Sequence, residues 1–158
     1  MGDFCTYSGI ELQAQETKDS ELVARLIKEP EIIDGFTNAT ELQEYFNAFV
    51  SERHIYYVMK MNQEIVGVAV IMNMQDGDEL PDTYIVDVGF FKKARGKIAK
   101  MLCIMALNNF INTHRVKKLY AFVDSKNKAA YLNAFWCGFK KISTVRDRTM
   151  LEYKYGRQ

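Results

Sequence analysis

Apolar and polar residues follow two periods along this chain, and the two periods predict different elements. Strict alternation predicts a strand over Ile10–Ala14, and apolar runs rich in β-branched and aromatic residues predict further strands. The next two strands, on either side of Asn62-Gln63-Glu64, form a hairpin. The predicted strands are Ile10–Ala14, His54–Lys60, Ile65–Met74, Tyr84–Phe90, Lys118–Val123, Lys140–Val145 and Thr149–Tyr155.

Four helices are predicted where apolar residues recur at spacings of three and four. The first is capped by Thr17 or Ser20 and ends at Pro30, and the second begins at Thr40, where Gln43 completes a capping box. The remaining two cover Lys97–Thr113 and Lys128–Trp136. This order predicts an α/β fold with one mixed central sheet of about seven strands flanked by about four helices.

Composition narrows the class of protein. The 158 residues are 48% apolar and show no linker or repeat, which predicts a single domain over residues 1–158. The formal net charge of +1 argues against bulk nucleic-acid or membrane-surface binding. The longest apolar run, Met101–Leu107, is too short to span a bilayer, and the first residues lack a secretory pattern. We therefore expect a cytoplasmic protein without a membrane partner.

The cysteines are three in number, at positions 5, 103 and 137, with no C-x-x-C pair. With only two histidines in the chain, we expect no metal site. These spacings suit free thiols in a reducing compartment, and Cys103 lies in an apolar run where it acts as a small hydrophobic residue.

The segment with the most chemical content joins the buried strand that ends at Phe90 to the long helix that begins at Lys97. It is a basic turn containing Gly96, and it carries the cations Lys92, Lys93, Arg95 and Lys97. A helix N-terminus presents unpaired N–H groups, and glycine lets a ligand approach the backbone closely, so the turn is suited to a phosphate. The alternative is a solvated basic turn without a ligand.

This turn resembles the pyrophosphate motif of the GNAT N-acetyltransferases, which runs Arg or Gln, two residues, Gly, one residue, then Gly or Ala. Val88 matches the Val of the preceding strand and Phe90 the following Pro. Lys93 takes the place of the Arg or Gln, Gly96 that of the first Gly, and Ile98 that of the second. The motif is thus conserved in part, and Ala99 beside Ile98 would serve if the register shifted by one.

A second resemblance to the same family lies downstream. Asn127 is followed by Ala130 at the family's spacing, and the pair Gly138-Phe139 begins eleven residues after the Asn. The likeness covers residues 10–155 and implies the GNAT fold. It also implies acetyl-CoA as acyl donor, with the acetyl group passing to a primary amine of a small molecule or protein by direct attack in a ternary complex.

The resemblance implies which residues hold the cofactor. The backbone of Val88–Phe90 would hold the pantetheine and polarise the thioester carbonyl, the basic turn would hold the pyrophosphate, and Asn127 would lie near the cofactor arm. The implied cofactor-binding residues are Val88, Gly89, Phe90, Lys93, Arg95, Gly96, Lys97, Ile98, Ala99 and Asn127.

An amine must lose a proton before it attacks a thioester, and two acids on the strand before the turn are candidates for the base. Asp87 interrupts an apolar run, which indicates a cavity or a partner, and Asp82 lies at the start of the strand. The alternative for Asp87 is a structural carboxylate in an ion pair.

Two departures from the family pattern bear on activity. Ile98 carries a branched side chain where Gly or Ala is usual, and Ala134 stands where a Tyr often protonates the leaving thiolate. The Ala-Arg-Gly-Lys turn is similar to that of divergent, often bacteriophage-encoded, relatives. The rival hypothesis is a GNAT-fold protein with weakened catalysis that acts as a binding or structural component, within a virus particle or against a host protein.

Two further expectations concern surfaces. The edge of the final strands would allow a homodimer. Four aromatic residues fall at strand or helix spacing typical of a core, and Trp136 is also a candidate to line the acyl pocket. The four are Tyr120, Phe122, Phe135 and Trp136.

Overall fold

The computed structural model describes residues 2–34 and 51–154. The strands are β1 (Gly2–Tyr7), β2 (Ile10–Thr17), β3 (Ile55–Met61), β4 (Glu64–Asn73), β5 (Thr83–Phe90), β6 (Lys118–Asp124), β7 (Phe139–Val145) and β8 (Arg148–Tyr153). The helices are α1 (Ser20–Leu26), α2 (Pro30–Ile33), α3 (Lys97–Thr113) and α4 (Lys128–Trp136), and a short 3-10 turn covers Lys92–Ala94. None of the helices in these ranges has the length and apolar character needed to cross a bilayer.

The strands form one mixed sheet in the order β1-β2-β3-β4-β5-β6-β8-β7. Among the strands of the described residues, only β5 and β6 run parallel, and the other neighbours are antiparallel. The predicted mixed sheet is confirmed with one strand more than expected. That strand is β1, which a tight turn at Ser8 and Gly9 joins to β2; both turn residues have positive φ, as the favoured two-residue hairpin turns require.

The long helices lie where the sequence predicts them, but the start of α1 differs. Asp19, and not Thr17 or Ser20, caps the helix: its carboxylate accepts a hydrogen bond of 3.0 Å from the N–H of Leu22. Pro30 does not end α1, which stops at Leu26; it begins α2, where its missing N–H costs nothing. The predicted helix from Thr40 lies outside the described residues.

Helices cover both faces of the central strands. On one face, α3 buries a stripe of side chains spaced by three and four residues; they are Ala99, Leu102, Cys103, Ala106, Leu107 and Phe110. On the other face, α1 and α2 pack against Tyr56, Val58, Val68 and Val70. Because β3 and β4 are buried on both faces, their sequences are nearly continuous apolar runs instead of alternating ones.

Candidate active site

The parallel strands β5 and β6 part at the centre of the sheet. They pair only from Thr83 to Ile85 on β5 and from Lys118 to Tyr120 on β6. Beyond this point β5 stays with β4 as far as Phe90, whereas β6 continues with β8. No described strand therefore pairs with the β6-facing edge of β5 after Ile85, and its backbone groups on that edge are open to a ligand.

A cleft opens where the two strands part. It encloses about 680 Å³, a volume that includes the open solvent at its mouth. Its walls come from β3, β4, β5, β6, α3, α4 and the start of β7, and its lining is mostly apolar. The lining side chains nearest the parting strands are Val86, Asp87, Val88, Ala121, Phe122 and Val123; those from the helices include Cys103, Ala106, Leu107, Ala130, Asn133, Ala134 and Cys137.

The turn after β5 is joined to the sheet by a backbone hydrogen bond. The N–H of Phe91 donates to the carbonyl of Val66 at 2.8 Å, and the 3-10 turn then leads to Gly96, the N-cap of α3. Gly96 has φ 97° and ψ −134°, a conformation that side chains disfavour, and within the described part of the chain no side chain caps the helix. The N–H of Lys100 is the first in α3 to bond within the helix, to the carbonyl of Gly96, so the N–H groups of Lys97 to Ala99 have no intrahelical acceptor and are of the kind that can receive an anion.

The cationic side chains of the turn differ in the groups that they contact. Lys93 forms an ion pair with the carboxylate of Glu64. The Arg95 guanidinium donates to two backbone carbonyls, Phe90 O at 3.3 Å and Glu31 O at 2.7 Å, so it braces the turn without being neutralised by them. Lys97 makes no ion pair with any described residue, and its exposed charge is available to a ligand.

Ile98 and Ala99 lie in the first turn of α3, directly after the basic turn. Ile98 is half-buried and packs against the core that α3 covers, and Ala99 is buried in the same core. The branched side chain of Ile98 thus contributes to core packing, while the backbone N–H of the residue belongs to the first turn of α3. The structure brings both residues to the predicted anion site through their backbone.

The two candidate acids lie at different positions relative to β5, with Asp87 inside the strand, three residues before its end. Asp87 is 8% exposed, lines the cleft, and pairs in register with Val70, on the sheet face covered by α1 and α2. Asp82 precedes β5, and its carbonyl accepts hydrogen bonds from the N–H groups of Lys117 and Lys118. At about 3.3 Å per residue, this end of β5 is remote from the turn after Phe90. The structure therefore brings Asp87 to the cleft and leaves Asp82 away from it.

Asn127 stabilises the start of α4. It is the N-cap of the helix, and its carboxamide oxygen accepts a 3.0 Å hydrogen bond from the N–H of Ala130. Ala134 lines the cleft, whereas Tyr131 faces a separate hollow with Lys128 and Lys141. No phenol thus lies at the position of Ala134, and Tyr131 does not line the cleft in its place.

Two aromatic residues of α4 are not part of the core, contrary to expectation. Phe135 is 46% exposed and Trp136 is 61% exposed, and the two rings meet edge to face at 5.7 Å. The ammonium of Lys100 lies 4.8 Å from the centre of the Trp136 ring. The prediction failed because α4 is apolar all round, and sequence spacing does not show which side of such a helix meets the sheet.

Three cleft residues were missed in the sequence: Cys103, Asn133 and Cys137. Cys103 and Cys137 are separated by 33 intervening residues of strand, loop and helix, and no motif links them. Only the packing of α4 beside α3 brings them to one cleft.

Comparison with known proteins agrees with this geometry. The model of the "Acetyltransferase (GNAT) family" matches residues 21–139. The structure is similar to the GNAT domain of PAT from S. lividans, with a TM-score of 0.69, 8% identity and 90% of each chain covered. Among curated proteins, none matches the sequence.

Two further solved structures are similar. Campylobacter jejuni N-acetyltransferase PseH, in complex with acetyl coenzyme A, has a TM-score of 0.61 and 14% identity, with 92% of this chain and 99% of that chain covered. A spermidine N-acetyltransferase chimera of SpeG from Vibrio cholerae and hSSAT has a TM-score of 0.63 and 18% identity, with 92% and 95% covered. At these identities the likeness establishes the fold.

Proposed function

The chain belongs to the acetyltransferase (GNAT) family, and on this premise we propose that it is a single-domain N-acetyltransferase that moves an acetyl group from acetyl-CoA to a primary amine. The attack would be direct, in a ternary complex. The observation that carries the proposal is the parting of β5 from β6 beside the uncapped start of α3. This arrangement offers a backbone edge for an extended ligand and an anion site at its end.

The pyrophosphate of the cofactor would lie at the start of α3. The N–H groups from Lys97 to Ala99 would donate to its oxygens, with the helix dipole adding to the attraction. Lys97 supplies a charge that no described carboxylate neutralises, and Arg95 holds the turn in shape through its two carbonyl acceptors. Lys93, in its ion pair with Glu64, would contribute less unless the ligand displaced that carboxylate.

The pantetheine and the thioester would lie along the open edge of β5. Alternate backbone groups of Val88–Phe90 point away from β4, where β6 has already diverged. An N–H on this edge would donate to the thioester carbonyl and stabilise the charge that develops on its oxygen during attack. The apolar cleft would exclude water from the thioester.

Asp87 would orient or deprotonate the amine, directly or through a water molecule. Its support is its position, since it is the buried acid of β5 that lines the cleft and lies on the face opposite α3. An acceptor amine entering from the α1 and α2 side would meet the thioester across the parted strands. General-base catalysis of this kind contributes about 10²–10⁴ to a rate.

A second candidate function is a GNAT-fold binding or structural protein with little turnover. The observation that favours it is Ala134, which lines the cleft but has no proton to give to the leaving thiolate. Under this alternative, acetyl-CoA would bind and remain unreacted. The bacteriophage-type origin, the cytoplasmic location and the homodimer stay predictions.

Calorimetric titration with acetyl-CoA tests the cofactor site, and Lys97→Glu is the variant of choice. An acidic residue in the first turn of a helix is stabilising by about 0.3–1 kcal/mol, so we expect this variant to fold at least as well as the wild type. It should nevertheless bind acetyl-CoA at least tenfold more weakly, because its carboxylate repels the pyrophosphate. Lys117→Glu, with the same charge change beyond the other end of α3, is the matched control.

Micromolar binding by the wild type, lost in Lys97→Glu and kept in Lys117→Glu, would support the site. Absence of binding by the wild type would overturn the proposal. The next experiment measures CoA release with a panel of small primary amines and peptides. We expect Asp87→Asn to lower kcat about 10²–10⁴-fold with acetyl-CoA affinity unchanged, and binding without turnover of any amine would favour the second candidate.

A further inference from the structure

Two buried thiols of the cleft take no part in the reaction proposed above. Cys103 lies in the middle of α3 and is 5% exposed, and Cys137 follows the last residue of α4 and is 9% exposed. Both are free, and both line the cleft between these helices. The third cysteine, Cys5, lies on β1 and donates its thiol to the sulfur of Met105 at 3.5 Å, away from the cleft lining.

The contacts of the two thiols cross between the helices. The side-chain N–H of Asn133, one turn before Cys137, donates to the sulfur of Cys103 at 3.8 Å. The thiol of Cys137 in turn donates to the carbonyl of Lys100, one turn before Cys103, at 3.9 Å. Each cysteine thus contacts the residue one turn before the other, so the two helices hold the thiols against each other.

From this juxtaposition we propose that Cys103 and Cys137 form a dithiol site that a small-molecule disulfide converts to an intramolecular disulfide. One cysteine thiolate attacks a sulfur of the small disulfide, whose S–S bond breaks and releases one thiolate. The other cysteine thiolate then attacks the mixed disulfide and releases the second. The two protein thiols lose two protons and two electrons, and the small disulfide is reduced to two thiols.

The surroundings set the order of the two steps. The hydrogen bond from Cys103 lowers the pKa of Cys137, and the positive charge of Lys100 lowers it further. That same hydrogen bond, together with burial, raises the pKa of Cys103 well above its ordinary value. Because thiolates are the nucleophiles in this exchange, and Cys137 is also the more exposed of the two thiols, we expect Cys137 to make the first attack and Cys103 to resolve the mixed disulfide.

The disulfide and the cofactor should exclude each other, a consequence that rests on the function proposed above. Bonding requires the sulfurs to approach to about 2.05 Å, which draws α3 toward α4 at the cleft they both line. Acetyl-CoA bound in the cleft would keep the helices apart and cover both thiols. Oxidation would therefore weaken acetyl-CoA binding, and acetyl-CoA would slow oxidation.

The test treats the reduced wild-type protein with oxidised glutathione, then denatures it and alkylates the remaining thiols. We expect the intact mass to fall by two hydrogens, one thiol to be alkylated, and peptide mapping to join Cys103 to Cys137. Cys5→Ala should behave as the wild type does, with no thiol left to alkylate. Cys103→Ala should stop at a mixed disulfide on Cys137, and Cys137→Ala should react far more slowly.

Three alkylated thiols in the treated wild type, or a disulfide that includes Cys5, would overturn the dithiol site without any variant having to fold. Mutual exclusion is tested by titrating both redox forms with acetyl-CoA, where we expect oxidation to weaken binding about tenfold or more. Equal affinity would overturn the exclusion and leave the cofactor site intact. If the reduced protein does not bind acetyl-CoA, the proposed function fails, while disulfide formation is still scored by mass.

Discussion

Gly96→Ala separates the conformation of the α3 N-cap from its contacts. The φ of 97° and ψ of −134° at Gly96 lie close to a region that is almost confined to glycine, and a non-glycine residue held there costs about 1–3 kcal/mol. A Cβ added at Gly96 meets no atom of the described residues within 4 Å, so the expected cost comes from the backbone conformation and not from overlap with them. For a chain of this length the cost corresponds to a fall in Tm of about 2–12 °C.

The cofactor affinity should fall by a separate mechanism. If the backbone relaxes to relieve the strain, the first N–H groups of α3 turn away from the pyrophosphate. Loss of one hydrogen bond to a charged group costs about 1.5–3 kcal/mol, which is about a ten- to hundredfold loss of acetyl-CoA affinity. Chemical denaturation measures the first effect, and calorimetry on the folded variant measures the second.

Gly77→Ala is the matched control. Gly77 also has a positive φ, 59°, and open space around its Cβ direction, but it lies in the loop between β4 and β5, at the other end of β5 from the cleft. We expect it to lose about 1–2 kcal/mol of stability with acetyl-CoA affinity unchanged. Wild-type stability in Gly96→Ala, or an equal loss of affinity in both variants, would refute the reasoning.

Two more predictions concern packing and pH. A Cβ at position 67 would lie 2.4 Å from the Phe90 ring and 3.0 Å from the carbonyl of Gly89. Gly67→Ala should therefore destabilise the protein by about 1–3 kcal/mol, and it should weaken acetyl-CoA binding because it displaces the end of β5. An unchanged free energy of unfolding and an unchanged acetyl-CoA affinity would contradict this. Hydrogen bonds from Lys154 and Lys118 hold the pKa of the Glu152 carboxyl below its ordinary value of 4.5. The stabilising contribution of Glu152 is therefore present above pH 4.5 and is lost as the pH falls through the lowered pKa. Glu152→Gln should therefore lower the free energy of unfolding by at most about 1 kcal/mol at pH 7. It should lower it by nothing at a pH below the pKa values of Glu152 in both the folded and the unfolded chain. Urea unfolding at pH 7 and at such an acidic pH measures the difference.

The extent of each long element could be predicted because it depends on local spacing. Lys97–Thr113 and Lys128–Trp136 are helices with the predicted bounds, since apolar periodicity and start signals act within one or two turns. The cap of α1 was assigned to the wrong residue because Thr17, Asp19 and Ser20 are all capping types, and the geometry of the chain chose Asp19. The strand β1 was missed because its partner β2 supplies the pairing that makes it a strand.

Some features of the candidate site could likewise be predicted from the sequence, and others could not. The basic turn from Lys92 to Lys97 could be found in the sequence because its residues are adjacent in the chain, and the anion site predicted there depends on that adjacency. The sequence does not show whether Asp82 or Asp87 lines the cleft, because the position of the cleft depends on where β6 diverges from β5. Sequence spacing alone also gave no means of seeing that Trp136 is exposed, since that depends on which side of α4 faces the sheet.

By itself, then, the sequence determined the elements and the local chemistry of the turn, because dihedral preferences, capping and hydrophobic periodicity act over a few residues. Tertiary structure alone decided the parting of β5 from β6, the cleft and the meeting of Cys103 with Cys137. Those features join residues that are distant in the chain, and only the packing of helices on a shared sheet brings such residues together.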